Sequence, residues 1–314
     1  MPRRLMEAVP NLSEGRDLSV VEAAVEAVLD AGAEVLDWSA DADHNRSVLT
    51  LLGAPDTLAT AALALAGVAV ERIDLKRHEG VHPRVGALDV LPFVPILGAT
   101  MDDARRLAWR VGEALAREFA LPVYYYAEAS RPPGRRLAEL RRGGFEALAA
   151  GWPAGRVPDV APAVTGRAGA HPSAGVVCVG ARPLLLAWNV ELRGVGLPEA
   201  AAVAGSIRES GGGFTGVRAL AFALKKGDAV QLSMNIEDLE ATDPMDVYRR
   251  VEELVAGAGG EVGPAEVIGM LPDRLLLGAA AERLGLGDVE PGRALSARVL
   301  QGLARRWVAG EPSH

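Results

Sequence analysis

The sequence predicts an α+β protein built from two ferredoxin-like open-faced sandwich subdomains, residues 1–180 and 181–314, each following a β-α-β-β-α-β plan. Three observations lead there. The hydrophobic pattern alternates between short strand-like runs and long helical ones. The same six-element order occurs twice along the 314 residues. Between the two copies lies a stretch, residues 127–181, crowded with Gly, Pro and Arg and reading as a long loop or linker.

In the first copy, residues 5–9 read as a strand and residues 18–31 as an amphipathic helix. Strands follow at 34–38 and 47–52, then a helix at 57–73 and a strand at 89–95, with a helix at 102–119 and a strand at 121–126 appended. Within the middle stretch only residues 135–140 look helical. The second copy comprises strand 182–192, helix 198–209, strands 217–224 and 229–236, helix 244–256 and strand 261–268. Two further helices are expected at 273–284 and 294–307. Each sheet leaves one face to be covered by a neighbouring subdomain or a second subunit.

Composition narrows the function classes. A formal net charge of −8 argues against nucleic acid as the main partner, so an anionic ligand needs a local basic pocket. No stretch reads as a membrane span or signal peptide, and the single cysteine, Cys178, fits a reducing cytoplasm and excludes an internal disulfide.

The string His78-Glu79-Gly80-Val81-His82 spells a zinc-hydrolase motif, but that chemistry needs both histidines on one helical face. Gly80 weakens a helix by about 1 kcal/mol relative to alanine, and Pro83 biases His82 away from helical geometry. A loop is expected instead. It carries two of the chain's five histidines along with Lys76, Arg77 and Arg84, which shifts the balance toward a site. Three other segments are equally dense in polar and turn residues. In residues 9–16, Asn11 or Ser13 is positioned either to cap the next helix or to face a ligand. In residues 37–46, Asp41 and Asp43 resemble half a calcium loop. However, Arg46 stands where that loop needs glycine and Leu52 where it needs glutamate, so no metal is expected. The fourth is His171–Gly175 with the glycine run Gly211–Gly216. That run follows a helix and lacks a trailing Lys-Ser/Thr, which excludes a nucleotide phosphate loop.

Taken in order, Val9-Pro10-Asn11-Leu12-Ser13-Glu14-Gly15, Asp43-His44-Asn45-Arg46 and His82-Pro83-Arg84-Val85-Gly86-Ala87-Leu88-Asp89 closely resemble the glutamate formimidoyltransferase family. So do Leu121–Tyr126, Pro158-Asp159 and Asn235-Ile236. The resemblance runs over nearly the whole chain and matches the transferase part of the bifunctional formiminotransferase-cyclodeaminases, without the cyclodeaminase part. It implies a folate enzyme that moves a formimidoyl group between tetrahydrofolate, the co-substrate, and glutamate. It also implies a folate cleft between two subdomains and a homodimer formed through the first.

The family's catalytic histidine falls on His82. A neutral imidazole there is expected to take a proton from glutamate's ammonium and return it to the departing folate nitrogen. Both substrates are anionic, which makes Arg84 and Arg46 the expected carboxylate clamps. Asn11, Asp41, His44, Gly86, Gly212 and Gly213 complete the expected substrate- and folate-binding set. Formyl transfer from 5-formyl-tetrahydrofolate to glutamate is the close alternative, since the two groups differ by =NH for =O. A zinc hydrolase and a non-catalytic folate-binding module are the distant ones.

Overall fold

Met6 and Ala8 are fully buried on one side of the first strand while Glu7, between them, faces the other, and this alternation sets the layering of the N-terminal sheet. The computed structural model describes residues 4–162, 169–224 and 230–272, together with Leu275 and Ala304. The chain divides into two compact units between Arg182 and Pro183.

The first unit comprises β1 (Leu5–Ala8), β2 (Asn11–Leu12), α1 (Leu18–Asp30), β3 (Glu34–Asp41), β4 (Arg46–Gly53), α2 (Pro55–Arg72), β5 (Leu88–Leu97), α3 (Met101–Phe119), β6 (Val123–Ala127), α4 (Leu137–Leu140), α5 (Gly144–Ala149) and β7 (Val177–Ala181). Its seven strands run β3-β4-(β1, β2)-β5-β7-β6. β1 and β2 share one lane, each pairing antiparallel with β4 and β5. The lane breaks at Val9-Pro10, where the proline has no N–H to give the ladder. β7 pairs parallel with both β5 and β6.

Helices α1, α2 and α3 cover one face through Val21, Val28, Leu58, Leu65, Leu107 and Leu115 against Met6, Leu12, Leu49, Leu51, Leu91 and Phe93. Each such buried side chain contributes about 1.5–3 kcal/mol relative to exposure. Helix α3 begins in a reciprocal capping box between Thr100 and Asp103. Asp17, not Asn11 or Ser13, caps α1, accepting from the Ser19 N–H. This frees Asn11 for a different partner.

The middle stretch differs from its expected loop character. It supplies α4, α5 and the buried strand β7, and Tyr124, Tyr126, Leu140, Leu148, Val176 and Cys178 form a small core with Val85 and Val90. The chain's own middle segment therefore covers part of a face expected to be open. The rest of that face carries Glu7, Asn11, Arg46 and Thr50.

The second unit comprises β8 (Leu186–Arg193), α6 (Leu197–Ile207), β9 (Val217–Ala223), β10 (Val230–Ile236), α7 (Pro244–Gly257) and β11 (Glu261–Ile268). Its strand order is β11-β8-β10-β9, antiparallel throughout. Val190, Leu192, Leu232 and Met234 pack on Val203, Ile207, Val247 and Val251 of the two helices. The strand expected at 182–192 opens only at Leu186, as β8 in the second sheet, after residues 182–185 have left the end of β7 at Ala181. Pro183, which cannot donate to a ladder, lies in the break. The helices expected at 273–284 and 294–307 lie outside the described residues, save Leu275 and Ala304. Among the described residues no helix is long and apolar enough to cross a membrane.

Candidate active site

Four polar segments meet at one end of the N-terminal sheet: the β2–α1 loop, the β3–β4 hairpin, the α2–β5 loop and residues 171–175. Asn45, at the hairpin turn with φ +47°, stitches three of them together. Its side-chain oxygen accepts from Gly15 N–H at 3.0 Å, its Nδ2 donates to the Glu79 carbonyl at 3.1 Å, and its own carbonyl lies 2.8 Å from His78 Nε2. Gly80 lies so close to the turn that an added Cβ would sit 2.3 Å from the His44 carbonyl oxygen, which explains the glycine. Residues 171–175 are tied in by Leu75 N–H to the Ser173 carbonyl at 2.8 Å and by Ala87 N–H to the Ala174 carbonyl at 2.9 Å.

The stretch His78–His82 contains no helical turn. Its two histidines turn to different partners: His78 to the Asn45 carbonyl, and His82 Nδ1 to its neighbour's Pro83 carbonyl at 2.8 Å. A carbonyl can only accept, so the 2.8 Å Pro83 contact favours the Nδ1–H tautomer of neutral His82 over the longer 3.3 Å approach of Arg46 Nη1, which can only donate. Burial, followed by the charges of Arg46 and Arg141, pushes the His82 pKa down to about 2. His82 is therefore neutral at any physiological pH. The His44 ring packs edge-on against it, with centroids 6.0 Å apart.

Beneath His82 lies a buried charge cluster. Arg46 Nη1 is 3.3 Å from His82 Nδ1 and donates to Asp89 Oδ2 at 2.9 Å, while its Nε and Nη2 both donate to the Asn11 side-chain oxygen. Arg141 Nη2 donates to the same Asp89 oxygen. The other Asp89 oxygen accepts from Val85 N–H at 2.8 Å and Gly86 N–H at 3.2 Å, pinning the loop that carries His82. Burial alone would raise the Asp89 pKa, but Arg141, Arg46 and the Val85 N–H hold it below the usual carboxylate range. Burial, then the neighbouring Arg141, lowers Arg46 to about 10. Two guanidiniums face one carboxylate, which leaves a surplus positive charge beside a neutral histidine. Such a site is suited to an anionic ligand that must give up a proton.

Of the residues expected from sequence, the structure joins His82, Arg46, Asn11 and His44. Asp41 stands at the rim, where its Oδ1 accepts from Asp43 and His44 N–H at 2.8 Å each and shapes the hairpin turn. Arg84 does not join His82. Its guanidinium grips Glu146 with contacts of 2.8 and 3.2 Å and also reaches the His78 carbonyl, so it is already engaged within the protein. Gly86 is buried: its N–H goes to Asp89, its carbonyl accepts from Ser13 Oγ at 2.7 Å, and a Cβ there would meet the Val176 carbonyl oxygen at 1.9 Å. Close backbone approach accounts for it without a ligand. Gly212 and Gly213 belong to the second unit and close the end of α6, where Gly213 N–H returns to Arg208 and Phe214 N–H to Ile207. Asp89 and Arg141 were not anticipated. An aspartate between apolar Leu88 and Val90 was the available signal for the first, because a buried acid needs a cationic partner. Arg141 stands among many arginines and gives no sequence signal.

Residues 5–182 match the family described as the formiminotransferase domain, N-terminal subdomain, and residues 187–284 match the formiminotransferase domain. The chain belongs to the formiminotransferase family. It is 35% identical to a glutamate formimidoyltransferase of Streptococcus pyogenes serotype M1, covering 91% of this chain and 95% of that one. A glutamate formimidoyltransferase of Thermoplasma acidophilum is 36% identical, with 94% and 97% covered. A formimidoyltransferase-cyclodeaminase of Sus scrofa is 37% identical over 88% of this chain, which spans about half (52%) of that longer protein.

Proposed function

We propose that this chain is a glutamate formimidoyltransferase, moving a formimidoyl group between a tetrahydrofolate nitrogen and the α-amine of glutamate. Membership of the family and likeness to full-length relatives of that name support the activity. The observation that carries the mechanism is the neutral His82, whose Nδ1 contacts the Pro83 carbonyl, beside a buried cationic cluster.

Tetrahydrofolate supplies the nitrogen that carries the one-carbon unit. In the direction of transfer to glutamate, His82 Nε2 accepts the proton lost as the amine forms its bond to the formimidoyl carbon. The same nitrogen delivers that proton as the folate nitrogen departs. In the other direction the roles reverse on the same atom. The surplus charge of Arg46 and Arg141 over Asp89 attracts the substrate's carboxylate. Burial, then those charges, keeps His82 unprotonated, and the arriving carboxylate offsets the charges and raises its basicity. Preorganised donors and a held geometry contribute to rate without a covalent intermediate, and the buried Cys178, its thiol pushed up to about 12 by burial, plays no nucleophilic part.

The ferredoxin-like assignment of each unit belongs to the same proposal, supported by the strand order β11-β8-β10-β9 and by the matching β3-β4-β1-β5 order in the first sheet. So does a homodimer through the first unit, supported by the exposed Leu36 and Trp38 on edge strand β3. Purified protein is expected to turn over N-formimidoylglutamate with tetrahydrofolate, and to do so faster than it turns over the formyl analogue. Turnover of the formyl pair alone would replace the assignment, and turnover of neither would end it.

A further inference from the structure

We propose that Arg141 is the residue that binds the α-carboxylate of the amino-acid substrate. The inference rests on the function proposed above and adds a recognition residue to it.

A guanidinium has five N–H donors. Arg46 spends three of them, on Asn11 and Asp89. Arg141 spends one, its Nη2, on Asp89, and among the described residues its buried Nε has no hydrogen-bond partner. Its side chain is 13% exposed, so it is largely desolvated yet still reaches solvent. A mostly buried cation with most of its donors unspent is the kind of group that a planar carboxylate satisfies with two parallel bonds.

Position selects the source of that carboxylate. Arg141 and Arg46 meet on one oxygen of Asp89, and Arg46 in turn touches His82. Arg141 therefore lies one carboxylate away from the residues around the proposed base. In glutamate the α-carboxylate is two bonds from the reacting nitrogen, whereas folate's glutamyl tail is separated from its reacting nitrogen by an aromatic ring and an amide. The carboxylate held here is the amino acid's. Arg84, the stronger expectation from sequence, is excluded from this role by its bidentate hold on Glu146.

The test compares wild type with Arg141→Lys, which keeps the charge and loses the planar fork. Initial rates would give KM for each substrate, and calorimetry would give the affinity for glutarate, a dicarboxylate without the amine. The expected result is a rise of roughly tenfold or more in KM for N-formimidoylglutamate and in the glutarate Kd, with KM for the folate unchanged. A rise confined to the folate's KM would assign Arg141 to the glutamyl tail and overturn the proposal. So would a loss of thermal stability with both KM values and the glutarate Kd unchanged, since that is what a purely structural partner of Asp89 would give. Should Arg141→Lys not fold, the double variant Asp89→Asn/Arg141→Gln removes both charges of the pair, and retained glutarate affinity there would equally overturn it. If wild type turns over neither folate derivative, the functional assignment has failed. The glutarate comparison still decides whether Arg141 binds a carboxylate.

Discussion

At the residue scale the molecule hinges on which nitrogen of His82 carries the proton. The contact to the Pro83 carbonyl favours the proton on Nδ1, and in the proposed mechanism Nε2 then acts as the base. Replacing His82 with Gln is expected to lower kcat by roughly 10²–10⁴-fold, the range for losing a general base, while changing folate affinity little. Steady-state kinetics with a parallel binding titration would check this, and a variant of equal activity would remove His82 from the chemistry. Gly80 and Pro83 made the loop legible in sequence, and the expectation for His82 itself came from the family resemblance. Its environment was not legible, because its protonation is set first by burial and then by charges at residues 46 and 141, far from it in the chain.

At the scale of elements, the α2–β5 loop is held less by its own sequence than by Asp89 at the start of β5. One of its oxygens clamps the loop backbone at Val85 and Gly86, and the other joins two arginines from separate elements. Asp89→Asn would leave two buried guanidiniums facing a neutral amide. A loss of about 3–5 kcal/mol is expected, as for removing one partner of a buried ion pair, measured by urea unfolding. A cost below 1 kcal/mol would show that solvent already screens the cluster. Elements with clean periodicity, such as α3 and the β3–β4 hairpin, were readable in advance. β7 was not: Val177–Ala181 is buried on both faces between two parallel neighbours, shows no alternation, and follows a run rich in Gly and Pro. The start of β8 was placed too early because Leu184 and Leu185 extend its apolar run back to Pro183 without joining the strand.

For the whole molecule, the same cluster links folding to pH. His82 and His78 both have lowered folded-state pKa values, led by burial. Their stabilising contribution is present above the unfolded value of about 6.5 and is lost as pH falls, toward about 2 for His82. Asp89 adds a loss of the same sign once pH drops below its ordinary 3.8. Glu7, buried on the same sheet face as Arg46 with its pKa raised by desolvation, runs the opposite way. Its contribution is present below 4.5 and fades as pH rises. The urea midpoint is therefore expected to decline between pH 6.5 and 4.5, before most carboxylates titrate, and to decline less in His82→Gln. An unchanged slope in that variant would mean His82 is as easily protonated folded as unfolded. The two-unit plan was legible from the repeated six-element order, which composition and periodicity reveal without any site residue.

Cys178 is the chain's single sulfhydryl and sits at zero exposure in β7, between two strands of the first sheet. A chromogenic disulfide added to the native protein can react only when that strand is uncovered, so the slow appearance of colour clocks how often the sheet comes apart. Labelling is expected to be slow and to accelerate steeply with denaturant, whereas fast labelling in buffer would mean that β7 opens without global unfolding. The protein thus carries its own stopwatch for the strand that the sequence concealed.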